Sequence, residues 1–223
     1  MRKLAWFILL SSLLVSACHR AIHVGTEIQG SGKRTTQKRD IGAFKTIETE
    51  GAFTIEVTCQ KDPSLELEAD DNVIEFITAE VRNEVLHLRS TKSYSASEPV
   101  KFTISVPNLE AVSVSGAGKI DIKGMNNDSF EIDSKGAPTI TVAGRTKVVN
   151  IDTNGAGKID THKLRASRAV VDSNGVSNVD IDVSEQLDVT VSGPSTITYR
   201  GDPVVNKSVN GQGSVEKRVS GGA

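Results

Sequence analysis

The chain has 223 residues, a net charge of −2 at pH 7 and 4% aromatic residues. So even a charge balance excludes the electrostatic footprint of a nucleic-acid binder. Its two cysteines exclude a disulfide-rich scaffold.

The chain starts with the basic Met1-Arg2-Lys3 and continues in an apolar run from Leu4 to Val15. The run has signal-peptide length and is too short to cross a bilayer comfortably as a permanent helix. It ends in Val15-Ser16-Ala17-Cys18, which resembles the lipobox of bacterial lipoproteins. That resemblance implies a signal peptide over residues 1–17 and acylation of Cys18 on its thiol and its new amine. Several acyl chains give stable anchoring, where one is marginal. The plain alternative is a secreted protein cleaved after Ala17, with Cys18 incidental. His19 follows, so the aspartate that cues inner-membrane retention is absent. By resemblance to enterobacterial sorting, the expected location is the bacterial outer membrane, facing periplasm or exterior. Residues 19–40 are polar, Gly-rich and without apolar period, so 18–40 reads as lipidated cysteine plus flexible tether.

Residues 41–107 are strand-like in FTIEVTC, LELEA, VLHLRS and VKFTISV, and DDNVIEFITAEVRNE reads as a short helix or turn. With Cys18 acylated, Cys59 in FTIEVTC has no intramolecular partner and reads as a buried, unreactive thiol. From residue 113 the chain repeats itself: SVSGAGKIDI, DSKGAPTITV, DTNGAGKIDT, DSNGVSNVDI, TVSGPSTITY and SVNGQGSVEK. The central glycines stand at 116, 136, 155, 175, 193 and 211, spaced by 20, 19, 20, 18 and 18. Periods of this size mean a solenoid, and Val, Ile, Thr and Ser punctuated by Gly and Asn are strand-and-turn chemistry.

Aligned on the glycines, the units show apolar columns. Four residues after stand Ile120, Ile140, Ile159, Val179, Ile197 and Val215. Four before stand Val112, Ile132, Ile151, Val171 and Val189, broken by Lys207. Six before, Phe130, Val149, Ala169, Leu187 and Val205 form a third column. These alternate with polar positions at a period of two, and no unit can bury its face alone. The expected fold is all-β: a single-stranded parallel β-helix of short 18–20-residue coils, with an irregular N-terminal β cap. Six coils at ~4.8 Å strand spacing make a rod of roughly 25–30 Å. The glycine serves a turn that needs positive φ or close backbone approach. Lys217 and Arg218 put charge on the far edge, against aggregation.

The chain resembles the GIN-domain family, named for autotransporter-adhesin heads, over residues 41–217. The resemblance rests on GAFTIEV, ADDNVIEFITAEVRNEVLHL, the SGAGKIDI-type units and YRGDPVVNKSVNGQGSVEK. It implies a right-handed β-helix in a bacterial envelope protein, residues 218–223 being a tail, and no established ligand or activity.

For chemistry, two acidic columns stand out. Asp133, Asp152 and Asp172 lie three residues before the glycine, and Asp121, Asp160, Asp180 and Glu216 five after it. Stacked carboxylates repel, raising their pKa values or recruiting a cation. Three readings stand: a solvated face paired to Lys119, Lys135 and Lys158, a Ca²⁺ stripe at Asp133, Asp152 and Asp172, or a catalytic pair for polysaccharide cleavage. Short coils without walling loops favour the first. His19, His23, His87 and His162 show no ligand spacing, and SGAGK lacks the spacing of a phosphate loop. The expectation is a non-catalytic envelope lipoprotein acting as an interaction or adhesion module, without cofactor, held to the membrane through Cys18. An unidentified protein or glycan is its expected partner, and self-association of the rods is compatible with the flat faces. A polysaccharide-acting enzyme and a purely structural envelope protein are the alternatives.

Overall fold

The computed structural model of the protein describes residues 27–218; the leader, Cys18 and the last residues lie outside them. The repeats form stacked coils. The strands Lys119–Gly136, Thr139–Gly155, Lys158–Asn174 and Asn178–Ser192 each run on past a corner and pair in parallel with the next. Register keeps like residues together: Ile120 faces Ile140, then Ile159, Val179, Ile197 and Val215. This column and the one from Val112 to Val189 are buried, as are Phe130, Val149, Ala169 and Leu187. Each such Val, Ile or Leu contributes about 1.5–3 kcal/mol by leaving water. Val205 is only partly buried, and Lys207 is exposed.

Each coil has three faces: one before the repeat glycine, one after it, and a third beyond a second corner. Register slips at that second corner, between Ile122 and Met125, Thr141 and Ala143, and Thr161 and Arg165. Such bulges bend a strand without ending it. At the first corner the repeat glycine is needed twice over. Gly136 has φ +123°, and a Cβ there would stand 2.4 Å from the carbonyl oxygen of Gly116 one coil below.

Two residues from the glycine, the corner interior is polar. The Ser177 hydroxyl lies 2.7 Å from Thr153 Oγ1. Ser195 Oγ accepts from the Ser173 hydroxyl (2.8 Å) and the Ser177 amide (3.0 Å), and donates to the Gly175 carbonyl (2.9 Å). These buried hydroxyls interlock successive coils, and sequence periodicity did not single them out.

The N-terminal part holds one more coil of the same plan. Thr46–Glu50 and Thr54–Cys59 place Ile47 against Val112 and Ile55 against Ile120, with Gly51 beneath Gly116. Outside it lie Val85–Ser90 and Lys101–Val106, also parallel. Chain order and spatial order therefore part: the chain builds the outer coil second, then returns to lay Ala111–Gly116 on the inner side. The outer coil is closed by antiparallel strands, Ile77–Arg82 on one face and Ser64–Asp70 on another. The stretch expected to be helix or turn is a 3₁₀ turn, Ile74–Phe76, leading into strand. Phe53 and Phe102 fill this end edge to face, centroids 5.3 Å apart. Cys59 is a buried free thiol, its pKa pushed up to about 11 by burial.

One expectation is corrected. The tether expected over 18–40 is not all tether, because Arg34–Arg39 pairs antiparallel with Ser64–Asp70 as the outermost strand. RTTQKR has no apolar residue, and backbone pairing holds it, together with Arg34 against the wholly buried Asp70 side chain (3.5 Å). At the opposite end, Val204–Asn210 and Ser214–Lys217 are paired on one side only among the described residues.

Candidate functional site

The face after the glycine turns its alternate residues outward, and in the later coils these include acids and a histidine. Asp160 and Asp180 are register partners on adjacent coils. His162 follows Asp160 by two residues and so leaves the strand on the same side. One ligand atom from each of Asp160, His162 and Asp180 lies within 4.8 Å of the others. His162 Nδ1 contacts Asp160 Oδ1, and Arg218 holds Asp180 Oδ2 at 2.7 Å. The other oxygen, Asp180 Oδ1, is buried without a hydrogen-bond partner. An open depression of about 530 Å³ covers the group, rimmed by Lys158, Asn178, Thr198 and Arg200.

Burial would raise the Asp160 carboxyl's pKa, but hydrogen bonds from the His162 ring and amide, with the charges of His162 and Lys158, hold it below the usual carboxylate range. Two carboxylates and an imidazole are a donor set for a borderline divalent cation. Arg218 already supplies a positive charge to one of them. The sequence signal for this group was Asp-x-His on a strand, which brings i and i+2 to one side; a search for paired histidines passes over it.

The column Asp133, Asp152 and Asp172 is in register on the face before the glycine. It continues through Ser113 to Glu48 and His87, the last two 3.0 Å apart. Each aspartate has a local partner: Lys135 on Asp133 at 2.9 Å, Asn154 on Asp152 at 2.6 Å and Asn174 on Asp172 at 3.2 Å. Partial burial, then the neighbouring charges of Asp172 and Asp133, raise the pKa of Asp152. Lys119 and Lys158 form no ion pair with the column; Asp121 pairs with Lys123. Glu216 is exposed on the terminal strand, and Cys18, His19 and His23 lie outside the described residues.

Against known proteins, the fold has clear relatives. A "putative adhesin" of Bacteroides fragilis NCTC 9343 is similar with 25% identity and a TM-score of 0.72, covering 86% of this chain and 100% of that one. Proteins described in the same words from Parabacteroides merdae ATCC 43184 (17% identity, TM-score 0.54) and Parabacteroides distasonis ATCC 8503 (18%, 0.51) share the fold. Each covers 86% of this chain, and 99% and 100% of its own. No curated protein matches the sequence. The profile of one family, described as "Putative auto-transporter adhesin, head GIN domain", matches residues 43–203, most of the folded chain, and the protein belongs to that family.

Proposed function

We propose that the protein is a non-catalytic envelope lipoprotein, anchored through acylated Cys18, whose β-solenoid is an adhesion or interaction module. The observation that carries this reading is the form of the faces. The acids that stack on them meet a lysine, arginine, histidine or asparagine on the same face. They stand on open sheet or, for Asp160 and Asp180, in an open depression, whereas general acid–base work on a glycosidic bond needs two carboxylates of divided pKa in a site that excludes water. Membership in an adhesin-head family and the likeness to the Bacteroides fragilis protein support the interaction role.

The experiment has two arms. In the native host, Cys18→Ala releases the protein from the membrane fraction; continued retention contradicts the anchor. Purified full-length protein is incubated with bacterial and host surface polysaccharides, and products are sized. Retention without cleavage is expected. Cleavage abolished by Asp133→Ala, Asp152→Ala and Asp172→Ala together would establish the enzymatic alternative instead.

A further inference from the structure

The third face, beyond the second corner, differs in charge from the other two. It carries Arg145, Lys147, Lys163, Arg165 and Arg168, all exposed. Lys147 is paired with Asp128 at 2.8 Å, and Arg168 reaches Glu185 only at 3.9 Å. Arg145, Lys163 and Arg165 form no ion pair among the described residues. Arg145 and Arg165 are direct register partners on adjacent coils, so two guanidinium groups leave the sheet about one strand spacing, ~4.8 Å, apart; on its other side Arg165 has Asp182 as register partner, with no ion pair between them. Like charges directly opposite one another destabilise a sheet, and an anion between them relieves that.

The ground beneath them is shaped for such an anion. Arg145, Lys163 and Arg165 border an open depression of about 530 Å³, floored by Gly124 and Gly144 and edged by Gln60 and Asn126. Neither glycine puts a side chain in the way, and a Cβ on Gly144 would stand 2.2 Å from the Met125 carbonyl oxygen. Asn126 Oδ1 accepts from Arg145 Nε at 2.8 Å, which fixes the guanidinium and leaves its terminal nitrogens available. Gln60 has φ +64°, a backbone region costly for a residue with a side chain. Its amide is pinned to the carbonyls of Pro107 (3.1 Å) and Asn126 (3.4 Å). Strain, held hydrogen bonds and unpaired charge meet at one lip.

We infer that this depression binds the acidic group of an anionic polysaccharide, a carboxylate or sulfate held between Arg145 and Arg165 with Lys163 beside it. Paired guanidinium groups suit such planar or tetrahedral oxyanions, which they grip with two parallel N–H donors. The volume falls within the range of small-molecule sites, roughly 300–1,000 Å³. Peripheral membrane binding draws on apolar residues that insert as well as on basic charge, and single-stranded nucleic acid draws on aromatic rings for stacking. The exposed large hydrophobic residues are Val170, Val176, Val204 and Val209, and none lines the depression. This inference gives a partner class to the adhesion reading and rests on it.

The test uses purified full-length protein in detergent. Binding is measured to dextran sulfate, polygalacturonate, neutral dextran and oligo-dT, over a series of NaCl concentrations. Wild type should bind both acidic polysaccharides at least tenfold more tightly than dextran or oligo-dT, weakening as salt rises. Arg145→Glu with Arg165→Glu should weaken that binding at least tenfold, and Lys163→Gln severalfold. Asp152→Asn on another face should leave it within twofold. All four side chains are exposed, and an unchanged melting temperature verifies the fold. Wild-type-like binding by the double variant, or equal binding to oligo-dT, overturns the proposal. If the double variant still binds a neutral glycan or a cell surface as wild type does, the site falls and the adhesion reading survives.

Discussion

The N-terminal third and the repeated coils solve the same problem by different means. The coils bury small residues, mostly Val and Ile, and gain order from repetition: a glycine lies under each glycine, and hydroxyls join neighbours across the corner. The N-terminal third has no such repetition. It brings in phenylalanines, reverses strand direction and folds its chain out of order, and so closes a parallel edge that would otherwise stay open. A solenoid unit contacts only its neighbours, so an end needs its own chemistry. The other end has Lys207 at an inward position and an exposed Val204 on a strand paired on one side. Inward charge is a recognised guard of such edges.

The contrast can be broken most severely at the aromatic end. Phe102→Ala should cost about 3–5 kcal/mol, the range for emptying a phenylalanine site in a packed core, read from urea unfolding. Hydrogen exchange should then quicken in Ala111–Gly116 before Val204–Asn210; uniform quickening would mean the end is not a separate cap. In the coils, Gly136→Ala combines positive φ with the Gly116 carbonyl at 2.4 Å, and a loss of about 2–3 kcal/mol is expected. Gly42→Ala, with open space around it, should stay within about 0.5 kcal/mol of wild type. Ser195→Ala leaves the Ser173 hydroxyl and the Ser177 amide without their acceptor, a loss of about 1–3 kcal/mol. Equal stability in this variant would show that the corner hydroxyls do not join the coils.

The smallest effects are expected on two outer faces. Asp152 has a raised pKa in the fold, so its ionised form is disfavoured there. Its contribution is favourable only while protonated, below the unfolded carboxylate pKa near ~4, and is lost as pH rises through the raised value. Asp152→Asn should therefore stabilise at neutral pH by a few tenths of a kcal/mol, about the scale of screened surface charge, and the gain should vanish near pH 3. Asp160 is held low, so its contribution is present above the unfolded pKa and lost as pH falls. Asp160→Asn should destabilise at neutral pH and become neutral in acid. Thermal melts across pH separate the two; the same sign in both would contradict the assigned causes.

What the sequence made legible was what repeats in register. Ile120 to Val215 could be read as one column because the chain places those residues at nearly constant intervals. GAFTIEV has the same offsets around Gly51, yet its spatial neighbours come from Lys101–Val106 and from the start of Lys119–Gly136, far along the chain, so period alone hides it. Arg34–Arg39 was unreadable for another reason: an edge strand held by backbone pairing needs no apolar pattern. The site followed the same rule. The Asp133–Asp152–Asp172 column stood out because it repeats, whereas His162 beside Asp160 and Arg145 beside Arg165 became visible only once bulges had set the register.

The proposed holding of an acidic glycan without cleavage is open to direct test. The direct measurement is binding of purified full-length protein to a polysaccharide panel, in Ca²⁺ and in EDTA, with the polymers sized afterwards. Retention on acidic polysaccharides is expected, undiminished by EDTA, with every polymer recovered at its original length. Shortened polymers, or binding that vanishes in EDTA and with Asp133→Asn, Asp152→Asn and Asp172→Asn combined, would contradict it.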